Sequence, residues 1–560
     1  MSEIVTYLRG KTLLITGSTG FLAKAVVEKI LRCAPEVNQI YLLIRSRQKK
    51  DGTFISVKDR MTTDVFGSPA FSRLRKSYGE NFQIFVDEKV CAIEGDLTLE
   101  KLGLKEDIYK QLSEEVNVVL TCAASVTFDE EIDAALQLNA LGARRMLEFA
   151  KSCRSAILVH VSTAYVNGQK KGRIPETPPR PNFSIAEEIG LSNAKFNLEK
   201  ETQEIQAITN EIHAESRSIS RQKKFRKLAL QQNASASSGW LEAQVETFRK
   251  RWLKERLIEE GMSRGQRWGW HDSYTLTKAM GEQFIVQHRG QLPTVIVRPS
   301  IVESGLLEPE PGWIEGLKVA DPLIDALSKG RLPDFPGQKD MVVDIIPVDI
   351  VVNTVLAAMV RTAIEGGISV YHVSTGDRNP ILFQQAFELS YEYFQKNPRR
   401  NRNNEPIIIQ KWTYPTLRQF RRRYKLRYIY PLNILLWILN RSNRIMFLNN
   451  WKRRITVLKS AISRMLYYAA IYSPYTSLEC IFDTEQMVKL HNNLKQDDRL
   501  LFGSDVTRID WKKYFQDIHI PGLKRHVLKT DETKSNTTEE EEVAERSGFA
   551  QTDTDSTTSH

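Results

Sequence analysis

Two groups of residues, far apart in the chain, have the types and spacing to serve one reaction. In Tyr274-Thr275-Leu276-Thr277-Lys278 a phenol and an amine stand four residues apart, and on a helix such positions share a face. A free tyrosine titrates at about 10. A nearby ammonium favours the phenolate and makes the phenol a better acid. Tyr274 can then protonate a carbonyl oxygen under reduction, and Lys278 can also bind a nicotinamide ribose. An ordinary surface pair has the same spacing, so the reading needs a second element. Gly17-Ser18-Thr19-Gly20-Phe21-Leu22-Ala23 supplies it. This GxxGxxA segment directly follows an apolar run and directly precedes a helical pattern. Glycine permits the tight turn and lets the backbone approach a pyrophosphate. The helix start offers unpaired N–H groups and a positive dipole end. The two groups together predict an oxidoreductase that moves hydride from a nicotinamide dinucleotide.

Other positions follow from that reading. The second strand pattern ends in Ile44-Arg45-Ser46-Arg47. An acid there usually binds ribose hydroxyls. Arg45 and Arg47 instead suit a 2′-phosphate, so NADPH is expected over NADH. In Gly95-Asp96-Leu97, Asp96 either accepts from the adenine amino group or caps a turn. In Val161-Ser162-Thr163-Ala164-Tyr165-Val166-Asn167-Gly168 a hydroxyl is needed to hold the substrate oxygen. Thr163 is assigned that role, with Ser162 as the alternative. Pro299, Ser300 and Ile301 follow another strand and either sit against the nicotinamide or form a plain turn. Cys122 lies among small residues with no evident base, so packing explains it better than attack on a thioester. No metal ligand set is assigned.

The bulk numbers limit the partners. With 560 residues the chain holds more than one domain. A formal charge of +11 and a pI near 9.2 favour anionic partners. The tail is acidic, so the body is more basic than the total implies. No nucleic-acid module accompanies the basic residues. Five cysteines without a CxxC fit a reducing compartment, and a cytoplasmic protein is expected. The N-terminus lacks the pattern of a signal peptide. No apolar run approaches the roughly 20 residues of a membrane-spanning helix.

The elements that must position the site alternate in residues 1 to about 180. Apolar runs at 13–16, 40–44, 90–93, 116–120 and 157–161 read as buried strands, with helical patterns such as 25–33 and 134–151 between them. That rhythm predicts a Rossmann-like, doubly wound parallel sheet of the α/β class. Residues from about 182 to 268 read as a helical insertion with a flexible interior around Ala234 to Gly239. Strands return at 294–297, 341–346 and 371–374, with a helix candidate at 347–360 and another at 274–287. The expected domains are 1–378 for the dinucleotide-binding reductase, 379–526 for a smaller helical domain and 527–560 for a disordered acidic tail. Lys223-Lys224-Phe225-Arg226-Lys227 in the insertion binds CoA phosphates or forms a solvated face. Arg421 to Tyr430, then 432–439, lies on a membrane surface, covers an acyl tunnel or is core.

These motifs resemble the extended short-chain dehydrogenase/reductase superfamily, and more narrowly the alcohol-forming fatty acyl-CoA reductases. The resemblance also rests on Ala123-Ala124-Ser125-Val126-Thr127-Phe128-Asp129-Glu130, on Pro311-Gly312-Trp313-Ile314-Glu315-Gly316, on Asp344-Ile345-Ile346-Pro347-Val348-Asp349, and on Tyr472-Ser473-Pro474-Tyr475 through Phe482-Asp483. It runs from about residue 8 to 525. The lack of a C-terminal membrane span resembles the bacterial type. The resemblance implies reduction of long-chain fatty acyl-CoA by two NADPH to a primary alcohol through an aldehyde, with release of CoA. The alternative is an enzyme that stops at the aldehyde.

Overall fold

Strands buried on both faces read as unbroken apolar runs, and such runs belong to parallel sheets. The computed structural model describes residues 1–49, 52–233, 237–332, 334–401, 403–441 and 447–529. Its main sheet has seven parallel strands: β1 (Thr12–Thr16), β2 (Gln39–Ile44), β3 (Val90–Glu94), β4 (Val118–Thr121), β5 (Ile157–Val161), β6 (Thr294–Pro299) and β7 (Ile368–Val373). Their spatial order is β7-β6-β5-β4-β1-β2-β3. The order reverses between β1 and β4, where Ile15 faces Leu120 and Thr16 faces Thr121. Ligands of open parallel sheets bind beyond the carboxyl ends of the strands at such a reversal.

Helix α1 (Phe21–Cys33) connects β1 to β2. Helix α2 (Gly142–Ser152) leads into β5 and continues a helical run that starts at Ile132 and contains a π-helical turn, Leu136–Leu141. Between β5 and β6 stand α3 (Leu198–Arg217), α4 (Ile219–Gln232), α5 (Ser238–Arg267) and α6 (Ser273–His288). Lys223, Lys224, Arg226 and Lys227 are exposed on α4, which buries Phe225 and Ala229. Residues 234–236 of the expected flexible interior lie outside the described residues. Helix α6 packs closely on the 132–152 run. A Cβ on Gly281 would stand 2.5 Å from the Asn139 carbonyl oxygen, so the approach needs glycine. Helix α7 (Val348–Glu365) precedes β7 and covers the sheet.

The run at 341–346 departs from its expected form. Only Ile345–Pro347 is strand, and it pairs with Ile301–Glu303 in a separate two-stranded sheet. Upstream, Val343 N–H donates to Ile381 O and the Asp344 carboxylate accepts from the Thr375 and Gly376 amides. Those loop partners take the hydrogen bonds that a longer ladder would need.

The C-terminal region is helical and includes α8 (Tyr430–Arg441) and α9 (Phe447–Tyr472). It returns to the reductase half through Cys480–Phe482, which pairs in parallel with Gly172–Ile174. One apolar cluster runs from Ile4 through β1, β2 and α7 to Phe515, Ile520 and Leu523. Asp498 binds the amides of Glu3 (2.8 Å) and Ile4 (3.3 Å). Lys524–Leu528 form a π-helical turn where the start of the tail was expected, and residues 530–560 lie outside the described residues.

Candidate active site

Helix α6 begins where it does because Asp272 caps it. The Asp272 carboxylate accepts from the Thr275 N–H (2.8 Å) and from Thr275 Oγ1 (2.9 Å) in a capping box. Every α6 residue from Ser273 to Ile285 is buried, Tyr274 and Lys278 included. Lys278 Nζ donates to the Val161 carbonyl oxygen at 2.8 Å, at the carboxyl end of β5. Thr163 lies two residues further. Its hydroxyl lies close enough to the Tyr274 phenol to favour the phenolate, and accepts from the Tyr165 N–H at 3.3 Å. The structure thus brings Thr163, Tyr274 and Lys278 together. Ser162 is buried beside them, and its hydroxyl has no hydrogen-bond partner among the described residues.

The electrostatics differ from the simple picture of an ammonium acidifying a phenol. Burial pushes Tyr274 up to about 12, with the Asp272 charge adding to the rise. The nearby Thr163 hydroxyl opposes it. Burial also pulls Lys278 down to about 8, against the attraction of Glu282. Desolvation outweighs pairing here because both side chains are buried. Cys122 is pushed up to about 12 by the same cause and stays a thiol, which agrees with a packing role.

The glycine turn sits at the end of β1. Gly17 has φ +72°, and a Cβ there would lie 2.7 Å from the Ala123 amide nitrogen. Gly20 caps α1 without a side-chain hydrogen bond, which leaves the first amides of that helix open. Ser18 is buried, with a hydroxyl that has no partner among the described residues. Open amides and an orphaned hydroxyl fit a pyrophosphate. Thr19 and Leu22 are half-buried, and Phe21 stacks on Trp313 at 4.7 Å.

Arg45 and Asp96 meet at the carboxyl ends of β2 and β3, with Nη1 3.9 Å from Oδ2. Asp96 Oδ1 also accepts from the Thr98 amide and hydroxyl, both at 2.8 Å, which is the turn-capping option. Leu97 is buried, and its carbonyl accepts from Arg145 at 2.9 Å. Arg47 is exposed in the two-residue strand Arg47–Gln48. Pro299 closes β6. The Ser300 amide donates to Val373 O and the Ile301 amide to Asp344 O, both at 3.0 Å. Tyr7 and Lys11 repeat the tyrosine–lysine spacing, but Lys11 simply lies over the Tyr7 ring at 5.2 Å beside the first short helix.

Sequence reasoning missed two residues of this site. Asn139 is buried in the π-helical turn. Its Oδ1 accepts from the Ser125 amide (3.0 Å) and its Nδ2 donates to Thr277 Oγ1 (3.2 Å), which ties the loop after β4 to α6. Its position between Leu138 and Ala140, on the apolar side of the helical run, was the available signal. Asp272, three residues before Thr275, was readable as a helix cap.

Residues 15–355 match an NAD-binding family model described as male sterility protein, and residues 433–530 match a second model with the same description. Over 537 residues the chain is 35% identical to fatty acyl-CoA reductase 1 of Arabidopsis thaliana, covering 94% of this chain and 99% of that one. The chain belongs to the fatty acyl-CoA reductase family. This family member is also 33% identical to the alcohol-forming fatty acyl-CoA reductase of Simmondsia chinensis, over 94% of its own length and 99% of the relative's. It is 32% identical to the chloroplastic fatty acyl-CoA reductase 2 of Arabidopsis thaliana, over 94% and 80%. The terminal R domain of the myxalamid PKS-NRPS biosynthetic pathway has the same fold, with a TM-score of 0.52 at 16% identity over 92% of this chain and 91% of that one. As a member of this family the chain is an oxidoreductase that uses a nicotinamide cofactor. No described helix is long and apolar enough to cross a membrane.

Proposed function

We propose that this reductase converts long-chain fatty acyl-CoA to the primary fatty alcohol with NADPH. The observation that carries the reading is the placement of Thr163, Tyr274 and Lys278 together, with Lys278 Nζ on Val161 O, at the end of the sheet that holds the glycine turn. The names of the relatives supply the substrate class. A nicotinamide dinucleotide held on the glycine turn would supply the hydride for each of the two reductions. Thr163 and Tyr274 hold the carbonyl oxygen and stabilise the charge that develops on it. Tyr274 gives its phenolic proton to that oxygen. Lys278, fixed by Val161 O, orients the nicotinamide ribose and keeps a positive charge near the phenolate. In balance, one acyl-CoA, two NADPH and two protons give one alcohol, one CoA and two NADP⁺. NADPH oxidation with palmitoyl-CoA tests this. Two NADPH per CoA with hexadecanol supports the reading. One NADPH with free aldehyde replaces it by the two-electron alternative.

Arg45 supports NADPH over NADH. Its guanidinium is exposed and its pair with Asp96 is long, so it remains available to a 2′-phosphate. Arg45→Ala should raise the NADPH KM about tenfold, the loss of one charge-assisted hydrogen bond, and leave the NADH KM unchanged. Equal KM changes for both cofactors would reject the assignment.

The C-terminal helices support contact with an anionic lipid surface. Between Glu405 and Glu479 the chain has no Asp or Glu and fourteen Lys or Arg. Helix α8 buries Leu432 but exposes Ile434, Leu435, Trp437 and Ile438. Cations beside exposed aromatic and aliphatic side chains suit a headgroup interface. The full chain should cosediment with phosphatidylserine-containing vesicles and not with phosphatidylcholine vesicles, and Trp437→Glu should weaken it. Failure to pellet with either vesicle rejects this contact.

A further inference from the structure

A side chain of the C-terminal region reaches the cap of the catalytic helix. Tyr475 is buried and follows α9 in a turn closed by its own amide on Tyr472 O (2.9 Å). The next residue, Thr476, anchors that turn to Pro336 O at 2.8 Å. From there the Tyr475 hydroxyl donates to Asp272 Oδ2. Asp272 is 1% exposed, and its other oxygen is taken by Thr275. Among the described residues, Tyr475 is the donor to Oδ2. A buried carboxylate oxygen without a donor is costly, so this contact bears directly on where α6 starts.

The Tyr475 ring does a second thing. It stacks on Phe128 with centroids 4.4 Å apart and planes at 16°, and meets Tyr165 edge-on at 5.3 Å. Phe128 in turn stands 6.0 Å from the Tyr274 ring. Phe128 belongs to the loop after β4, Tyr165 to the turn that carries Thr163, and Asp272 to the cap of α6. One side chain therefore touches all three segments that shape the reacting centre.

We propose that Tyr475 is a positioning residue for the reduction, so that the Thr163–Tyr274 pair is assembled only when the C-terminal region is docked. The proposal rests on the acyl-CoA reading for its kinetic readout but not for its structural one. Asp272 also acts on chemistry, because its charge raises the Tyr274 pKa and the Tyr475 hydroxyl shares that charge. Loss of the hydroxyl should thus reach kcat rather than cofactor affinity.

The test uses the full chain and Tyr475→Phe, which keeps the ring and removes the hydroxyl. The expected kcat loss is about tenfold, as for one hydrogen bond to a charged group, with the NADPH Kd from fluorescence titration unchanged. Asp272→Asn should also lose activity, and the double variant should lose no more than the worse single one, because both break one interaction. Unchanged kcat in Tyr475→Phe, or losses that simply multiply in the double variant, would overturn the proposal. Hydrogen exchange of the amides at 274–277 is measured on the same samples and needs no substrate. Faster exchange in Tyr475→Phe supports the positioning role, and unchanged exchange overturns it. Should the parent chain oxidise no NADPH with any acyl-CoA, the acyl-CoA reading fails alone, and the exchange result still decides the role of Tyr475.

Discussion

Tyr274→Phe should reduce turnover by about a thousandfold, within the range for loss of a positioned general acid, while NADPH binding is retained. The phenyl ring keeps its place near Phe128, so packing is preserved and only the proton donor is lost. The pH dependence gives a second handle on the same chemistry. Lys278 lies at about 8 and Tyr274 at about 12. Across the neutral to mildly alkaline range the phenol therefore keeps its proton, and the lysine is the group that changes charge. A charged Lys278 is present below about 8 and is lost as pH rises through that value. The kcat/KM profile, which reports the free enzyme, should fall on its alkaline side near pH 8, and Lys278→Arg, charged throughout, should move that limb upward. Steady-state rates from pH 6 to 10 check this. A flat profile to pH 10 in the parent chain would remove Lys278 from the mechanism, and near-normal kcat in Tyr274→Phe would remove Tyr274.

Glu282→Ala should be the most destabilising single change near the site, at about 3–5 kcal/mol. Glu282 sits on α6, one turn beyond Lys278, and Arg298 is the residue before the last of β6. Arg298 Nη2 is 2.6 Å from Glu282 Oε2 and Nε is 3.0 Å from Oε1, with side-chain exposures of 3% and 0%. Truncating the acid leaves a guanidinium buried without a counter-charge. His372 Nε2, 3.4 Å from Arg298 Nη1, cannot replace it, because burial and the arginine itself hold that imidazole down to about 3 and neutral. Replacing both partners by apolar residues of similar volume should cost far less than the single truncation. Urea unfolding of the three chains distinguishes these cases. A loss under about 1 kcal/mol in Glu282→Ala would show that water or a rearranged side chain already reaches the arginine.

The central strands were legible because each is buried on both faces and so spells an apolar run, with Leu13 to Thr16 and Ile157 to Val161 the plainest. Gly17 was legible because its φ and the nearby Ala123 amide exclude other residues. The run at 341–346 was misread because apolarity reports burial, not the destination of the hydrogen bonds. The balance of forces at Tyr274 was also hidden. Spacing gives the neighbour at i+4, but the burial that raises the phenol depends on packing by residues distant in the chain, such as Phe128. Tyr475 was visible only as part of a motif. Its partner lies 203 residues away, and no local pattern encodes a contact of that range.

The apolar cluster that joins Ile4 to Leu523 also constrains how the chain is made. A ribosome releases the sheet-forming half well before the residues that complete its core. During that interval β1, α7 and their neighbours must wait with an uncovered face, at the chain separations that make folding slow. Met1 and Ser2 wait longest, since their partners are Asp497 and Asp498. A premature stop anywhere before the last described turns would therefore leave an aggregation-prone remnant rather than a smaller working enzyme, and a holding chaperone should be found on the nascent chain until residue 523 has emerged.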